Sequence, residues 1–339
     1  MIRFNRRAVI KNLRYLSAPL LLGMCSTLAF AGLGPGELFI TNYELDSVTV
    51  YSRTATSAVT PLRTIRTGLS SPYSVVVDQL NNEVYVSNNC RDSTCGGFFG
   101  SVEVYDLNAN YPNDTPKRTI TGTATKLFHC TGMSYDVLRQ ELYVANDDSD
   151  TIAVFPRTAN GNVTPSRTIV GLATELGGPT GVIFDLFHDE VLVLSKAGLI
   201  TVYPRTSNGN VSPVRSIAGS LTEFNQPNGM DLDLLRDEIV VANAEANSIL
   251  AFPRTATGNV APTRILQGSS TGLCIPTGVV VDPINNDILV ANSGLEASCG
   301  QGTALYRRPA GGNESPLRTL TLPVGSGPVT VAQTLISFN

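Results

Sequence analysis

The sequence contains no tryptophan and only two histidines, His129 and His188. Imidazole-based acid–base or zinc chemistry therefore has little to draw on. Lysine is almost as scarce, with only Lys117, Lys126 and Lys196 beyond residue 31. The first 31 residues hold five of the 24 basic side chains and none of the 28 acids. Without them the chain sets 19 basic groups against 28 acids, a net charge of −9. Nucleic acid demands a cationic footprint, so that class of partner is disfavoured. None of the six cysteines stands in a C-x-x-C pair, which leaves a structural zinc site of the usual spacing without support. No second long apolar run and no amphipathic helical periodicity follow residue 31, so no membrane span is expected there.

The amino-terminal segment differs from the rest. Arg3, Arg6, Arg7, Lys11 and Arg14 lead into an apolar run, residues 15–31, that ends in the small-x-small sequence Ala29-Phe30-Ala31. A basic start, a short apolar core and that ending read as a cleaved secretory signal over residues 1–31. Asn5-Arg6-Arg7-Ala8-Val9-Ile10-Lys11 also resembles a twin-arginine export motif, with Asn5 where Ser or Thr is usual. The twin-arginine and general secretory routes both stay open. Lipidation of Cys25 is the weaker reading, because Met24 is too large for the residue before a lipidated cysteine. The mature chain is then residues 32–339, exported to the periplasm or the extracellular space. Its five cysteines, Cys90, Cys95, Cys130, Cys274 and Cys299, can form disulfides there, and an odd count leaves one over.

One unit recurs through residues 32–339. Its clearest copy reads 181–185 (GVIFD), 190–194 (EVLVL), 199–205 (LITVYPR), 209–211 (GNV) and 213–217 (PVRSI). Aligned on Asn42, Asn88, Asn146, Ser195, Asn243 and Asn292, the copies lie 46, 58, 49, 48 and 49 residues apart. Each holds four short runs of Val, Ile, Leu, Tyr and Thr split by Gly, Pro, Asn and Asp, which are strand and turn signals. Four strands per unit, A to D, at such a period make a β-propeller blade. The first copy opens on a B strand, 37–41 (ELFIT), and the missing A strand stands at the far end, 328–332 (PVTVA). The carboxyl terminus thus completes the first blade and closes an all-β, six-bladed ring as one domain over 32–339, with no open edge. Residues 335–338 offer a second closing strand.

Segments such as Leu142-Tyr143-Val144-Ala145-Asn146 and Pro276-Thr277-Gly278-Val279-Val280-Val281-Asp282 resemble the repeats of six-bladed NHL and YVTN-type propellers. The resemblance covers nearly all of residues 32–339. It implies the fold but no single activity, because such propellers include scaffolds, ligand-binding modules of receptors, lyases and lactonases. Quinone-dependent propeller dehydrogenases carry repeated tryptophan motifs, and a chain without tryptophan is not one of them.

Strand direction sorts the side chains onto two faces. Strand A ends and strand B begins on a lower face, shared with the C–D turns; the B–C and D–A loops share the upper face. Acids open strand B at Glu37, Glu83, Glu141, Glu190, Glu238 and Asp287, and close strand A at Asp78, Asp136, Asp185, Asp233 and Asp282. Each D strand carries an Arg: Arg63, Arg118, Arg167, Arg215, Arg264 and Arg318. Arg53, Arg157, Arg205 and Arg254 form a second series after strand C. A feature present in every blade is what a blade needs, so these residues are expected to form ion pairs within each blade rather than a docking ring. The Asn that ends strand B is expected to bond turn backbone. Gly161-Asn162, Gly209-Asn210 and Gly258-Asn259 mark C–D turns, although Asn162 and Asn210 also match glycosylation acceptors.

Function is then expected where the symmetry breaks, chiefly on the upper face. The longest B–C loop, 89–100 (NCRDSTCGGFFG), carries Cys90, Cys95 and two phenylalanines, Phe98 and Phe99, that a binding surface would expose. Cys299 holds in blade six the place of Cys95 in blade two, and Cys274 lies in a D–A loop of the same blade and face. Cys274–Cys299 is therefore the expected disulfide, and Cys130 is expected to pair with Cys90 or Cys95. One position near the start of strand A reads Tyr73, Thr131, Thr180, Asn228 and Thr277. Of these, Pro227-Asn228-Gly229 alone resembles the metal-site motif of gluconolactonase-type propellers, whose carboxylates have no counterparts here. His129 lies on the upper face and His188 on the lower, so they do not act together. Asp147-Asp148-Ser149-Asp150 has the oxygen chemistry of a Ca2+ or other divalent metal site, without the spacing of a known loop.

Two functions follow. The first is an exported, non-catalytic binding or scaffold module for a protein, a glycan or a surface polymer, acting through Phe98, Phe99, Thr131, Thr180, Asn228, Thr277 and His129. A structural component of an extracellular assembly is a variant of it. The alternative is a metal-dependent hydrolase or lyase of lactonase type at the channel mouth. That alternative needs at least three nitrogen or oxygen ligands converging there, where Asn228, Thr131, Thr180 and Thr277 line the mouth; Asp147, Asp148 and Asp150 are a separate candidate for a divalent metal.

Overall fold

A computed structural model describes residues 36–89, 100–294 and 301–323, with the backbone of 331–333. These residues form six four-stranded antiparallel sheets, joined by loops whose only helices are single 3-10 turns. In blade four, strand A (Pro179–Asp185), strand B (Glu190–Ser195), strand C (Leu199–Pro204) and strand D (Arg215–Ala218) follow chain order across the sheet. Strands B and C are apolar at nearly every position rather than at alternate ones, and nearly all of those side chains are buried. Both faces of the sheet are covered, so neither face calls for polar residues. The β-branched and aromatic side chains suit such a pleated surface.

The neighbouring blades provide the cover. Among the described residues the core falls into six clusters, each shared by two adjacent blades. One joins Tyr143, Ile152 and Val154 of blade three to Val191, Val193 and Tyr203 of blade four. Another joins Leu289 and Leu305 of blade six to Leu38 and Ile40 of blade one, across the point where the chain ends meet. No blade buries its own faces alone.

The A strands stand innermost, each beside the next around the axis: Pro72–Asp78, Cys130–Asp136, Pro179–Asp185, Pro227–Asp233, Pro276–Asp282 and Val331–Gln333. Val331–Gln333 pairs antiparallel with Glu37–Asn42, placing Gln333 opposite Leu38 and Val331 opposite Ile40. Strand Val331–Gln333 thus completes blade one, as the repeat pattern predicts, while 335–338 and residues 1–31, read as a signal from sequence, lie outside the described residues. In blades two, four, five and six a bulge near the start of strand A leaves Tyr73, Thr180, Asn228 and Thr277 out of the ladder. Bulges of this kind re-aim a side chain.

Each C–D turn reaches back to the preceding blade. Asn162, Asn210 and Asn259 accept the backbone N–H groups of Ala124, Ala173 and Leu221 at 2.7, 2.8 and 2.7 Å. Gly171 sits at φ 123°, and a Cβ there would overlap Asn210, so the contact needs glycine on both counts. No helix among the described residues is long and apolar enough to cross a membrane.

Candidate functional site

The repeated charges are taken up by the scaffold in two ways. In five blades the strand D arginine binds the glutamate that opens strand B, and in four of them it forks onto both carboxylate oxygens. Arg63 meets Glu37 at 2.6 and 2.7 Å, Arg118 meets Glu83 at 2.8 and 2.9 Å, and Arg215 meets Glu190 at 2.7 and 2.9 Å. Arg167–Glu141 matches them, while Arg264 sets the single Nη1 2.9 Å from both Glu238 oxygens and donates Nε–H to the Ala310 carbonyl at 3.1 Å. Paired N–H donors on two carboxylate oxygens make a strong, directional contact. Blade six has the shorter Asp287 at this place, where Arg53 of blade one binds it at 3.0 Å together with Asp282. The second arginine series extends the sequence reading, because it ties blades together as well as acting within one: Arg205 and Arg254 bind Asp189 and Asp237 of their own blades at 2.9 and 2.7 Å. Arg157 of blade three reaches Glu83 of blade two at 3.0 Å, and Arg254 of blade five reaches Glu190 of blade four at 3.5 Å. Strand C ends against the preceding blade, so a long side chain there crosses the seam.

The asparagines that end strand B fasten the D–A loops. Asn88, Asn146, Asn243 and Asn292 are buried and accept N–H bonds from Ser70, Phe128, Asn225 and Cys274.

At the upper mouth of the channel the positions read from sequence do come together. Tyr73 of blade two and Asn228 of blade five face each other across the ring, and the Tyr73 hydroxyl donates to Asn228 Oδ1 at 2.7 Å. Thr131 Oγ1 donates to the Pro179 carbonyl of the next blade at 2.7 Å, and Thr180 Oγ1 to that of Pro227 at 3.5 Å. Thr277 lies 3.5 Å from the Ala291 carbonyl. These groups lace strand A to its neighbours, and the one amide oxygen at the mouth is already bonded. A divalent metal wants several converging oxygens with open lone pairs, which this set does not offer. Deeper in the lumen, Asp231 accepts N–H bonds from Val281 of blade six at 2.7 Å and from Leu232 at 2.8 Å. Burial pushes its pKa up to about 6, against the pull of those bonds. Ser134, at the same place in blade three, accepts the Phe184 N–H at 3.0 Å, so Asp231 does a seam's work with a charged group.

The upper-face acids divide. Asp147 and Asp148, at the end of strand B in blade three, stand against His129 in the adjoining D–A loop, with one ligand atom from each within 4.8 Å of the others. His129 Nδ1 is in close contact with Asp148 and 3.9 Å from Asp147 Oδ1, while Lys196 of blade four binds Asp147 Oδ2 at 3.0 Å. Asp150 turns away and accepts the Gly178 N–H at 2.7 Å, as Asp46 and Asn247 do for Ser71 and Ile275. It is a loop fastener. The sequence reading placed His129 and the acids on one face but not together. The signal that joins them is the adjacency of strands A and B, which brings the loop before one beside the turn after the other.

A second repeated feature escaped the sequence reading. Two residues after the aspartate that closes strand A stand Leu80, Leu138, Phe187, Leu235 and Ile284, all exposed, from 38% for Leu138 to 75% for Leu80. Because the A strands are innermost, these turns ring the lower mouth of the channel. The aspartates fix the ring: Asp136, Asp185, Asp233 and Asp282 accept the N–H groups of Leu138, Phe187, Leu235 and Ile284 at 3.0, 3.0, 3.2 and 3.1 Å. None of the five belongs to a core cluster. Scattered exposed leucines need no explanation, but five at one position around one mouth do.

Cys130 is a free, fully buried thiol. Its sulfur packs so close to Gly100 that a Cβ there would overlap it, and it lies 3.6 Å from Asn146 Oδ1. The expected pairing with Cys90 or Cys95 is thus not made, and burial pushes the thiol pKa up. Cys274 is buried. Its expected partner Cys299 lies outside the described residues, as do Cys90, Cys95, Phe98 and Phe99.

No family description and no curated protein matches the sequence. Among solved structures, a chain from the crystal structure of a nidogen/laminin complex superposes with a TM-score of 0.62 at 13% identity, covering 90% of this chain and 100% of that one. At that identity the likeness concerns the fold.

Proposed function

We propose that this chain is an exported, non-catalytic propeller that binds a protein partner, with the apolar ring of its lower face as the docking surface. Export rests on the signal-like segment 1–31. The observation that carries the binding reading is the exposure of Leu80, Leu138, Phe187, Leu235 and Ile284. These five face solvent around one mouth, whereas the other exposed apolar repeat position, Leu62, Val214 and Leu317, lies beside the outermost strands D. The ring holds four aliphatic side chains and one aromatic, a surface that suits an apolar stretch of protein better than a polyhydroxylated glycan. A structurally similar chain comes from a complex of two proteins, nidogen and laminin, which supports the same class of partner. Phe98 and Phe99, in the longest B–C loop of the sequence, are the alternative surface.

The test compares the unaltered protein, F187S/L235S and F98S/F99S as immobilised baits in culture medium and envelope extract of the source organism. The expected result is a stoichiometric protein held by the unaltered bait and by F98S/F99S but lost from F187S/L235S. The reverse pattern would move the surface to the upper face. Retention of glycan alone, or of nothing, would overturn the protein reading, and lactone turnover by the purified chain would restore the hydrolase.

A further inference from the structure

We propose that His129, Asp147 and Asp148 form a binding site for a first-row transition-metal dication of the Zn2+ class on the upper face of blade three. The site is independent of the docking surface, which lies at the other end of the channel.

Asp147 carries most of the weight. It is only 8% exposed, and its Oδ1, aimed at His129 Nδ1 across 3.9 Å, has no hydrogen-bond partner. A buried carboxylate oxygen without a donor is costly, and a bound cation would satisfy it. The other oxygen is not idle: Lys196 holds Oδ2 at 3.0 Å, which fixes the carboxylate with Oδ1 turned inward. Such outer contacts orient metal ligands. Asp148 approaches the same imidazole nitrogen from the solvent side, with its side chain 54% exposed. Three ligand atoms already within 4.8 Å of one another need only small side-chain movements to reach a common ion at about 2.0–2.2 Å from each.

The donor set selects the ion. One imidazole nitrogen and two carboxylate oxygens suit Zn2+ and its neighbours, whereas Ca2+ takes about 6–8 oxygens and no nitrogen. Three protein ligands leave a tetrahedral ion with one open position, and the exposure of Asp148 leaves that position reachable. Without a metal the same residues are a His129–Asp148 contact and a Lys196–Asp147 ion pair.

The purified full-length chain, stripped with chelator, is titrated with Zn2+ and with Ca2+ by calorimetry, and its metal content is measured after gel filtration. One Zn2+ per chain is expected, preferred over Ca2+. Affinity should fall by at least about tenfold in D147N, H129Q and D148N, and stay unchanged in D150N. Asp148 is half exposed, so D148N keeps the fold and decides the matter should the buried variants fail to express. No stoichiometric uptake, uptake indifferent to D148N, or a preference for Ca2+ would each overturn the assignment.

Discussion

Glu83 collects donors from two blades: Arg118 of its own sheet, Arg157 of the next, and the Tyr85 hydroxyl. Burial alone would raise its pKa, but those bonds win and bring it to about 2, below the ordinary 4.5. A carboxyl depressed in the folded state contributes stability above its unfolded pKa and loses it as pH falls through the folded one. The stability gap between the unaltered protein and E83Q should therefore narrow from pH 5 to pH 2, read from urea midpoints; a constant gap would show that the charge is not what Glu83 contributes. Asp231 runs the other way. Its pKa is raised from 3.8 to about 6, so its contribution is intact below about pH 4 and is lost as pH rises through 6. D231N should gain stability relative to the unaltered protein at pH 8 and show no such gain at pH 4.

Seams between blades are the elements that hold this molecule, and they were legible to different depths. The apolar runs of strands B and C, and the Arg–Glu pairs with a partner in the same sheet, could be read from spacing alone, since both depend on order within one repeat. The reach of Arg157 and Arg254 to the preceding blade could not, because a contact with a neighbour's acid depends on where strand C ends in space. The same holds for Asp150, whose partner Gly178 belongs to the next loop, and for Cys130, whose sulfur is buried against Gly100. The Leu80 series is present as a repeat in the sequence, but whether a turn's apolar side chain faces solvent or packs on a neighbouring blade depends on the tertiary arrangement. At the level of a single seam, N210A removes the acceptor of the Ala173 N–H and should cost about 0.5–1.5 kcal/mol. The Ala173 amide should then exchange hydrogen faster, with little change in the other D–A loops.

For the whole molecule, burial between blades makes closure the condition for stability. Removing everything after residue 323 deletes strand Val331–Gln333 and leaves Glu37–Asn42 with an open edge on its inner side. Such a chain is expected to unfold at lower urea with a broader transition and to associate through the exposed edge, seen as higher-mass species in gel filtration. A sharp transition at the unaltered midpoint would mean that the ring does not depend on its last strand. Closure also sets five A–B turns around one opening, and the central claim is that their apolar side chains serve binding and not the fold. Urea unfolding of the fivefold variant L80S/L138S/F187S/L235S/I284S tests this most directly. Exposed side chains outside the core should leave the unfolding free energy within about 0.5 kcal/mol per site of the unaltered protein; a loss of about 1 kcal/mol or more per site would return the ring to the scaffold and contradict the account.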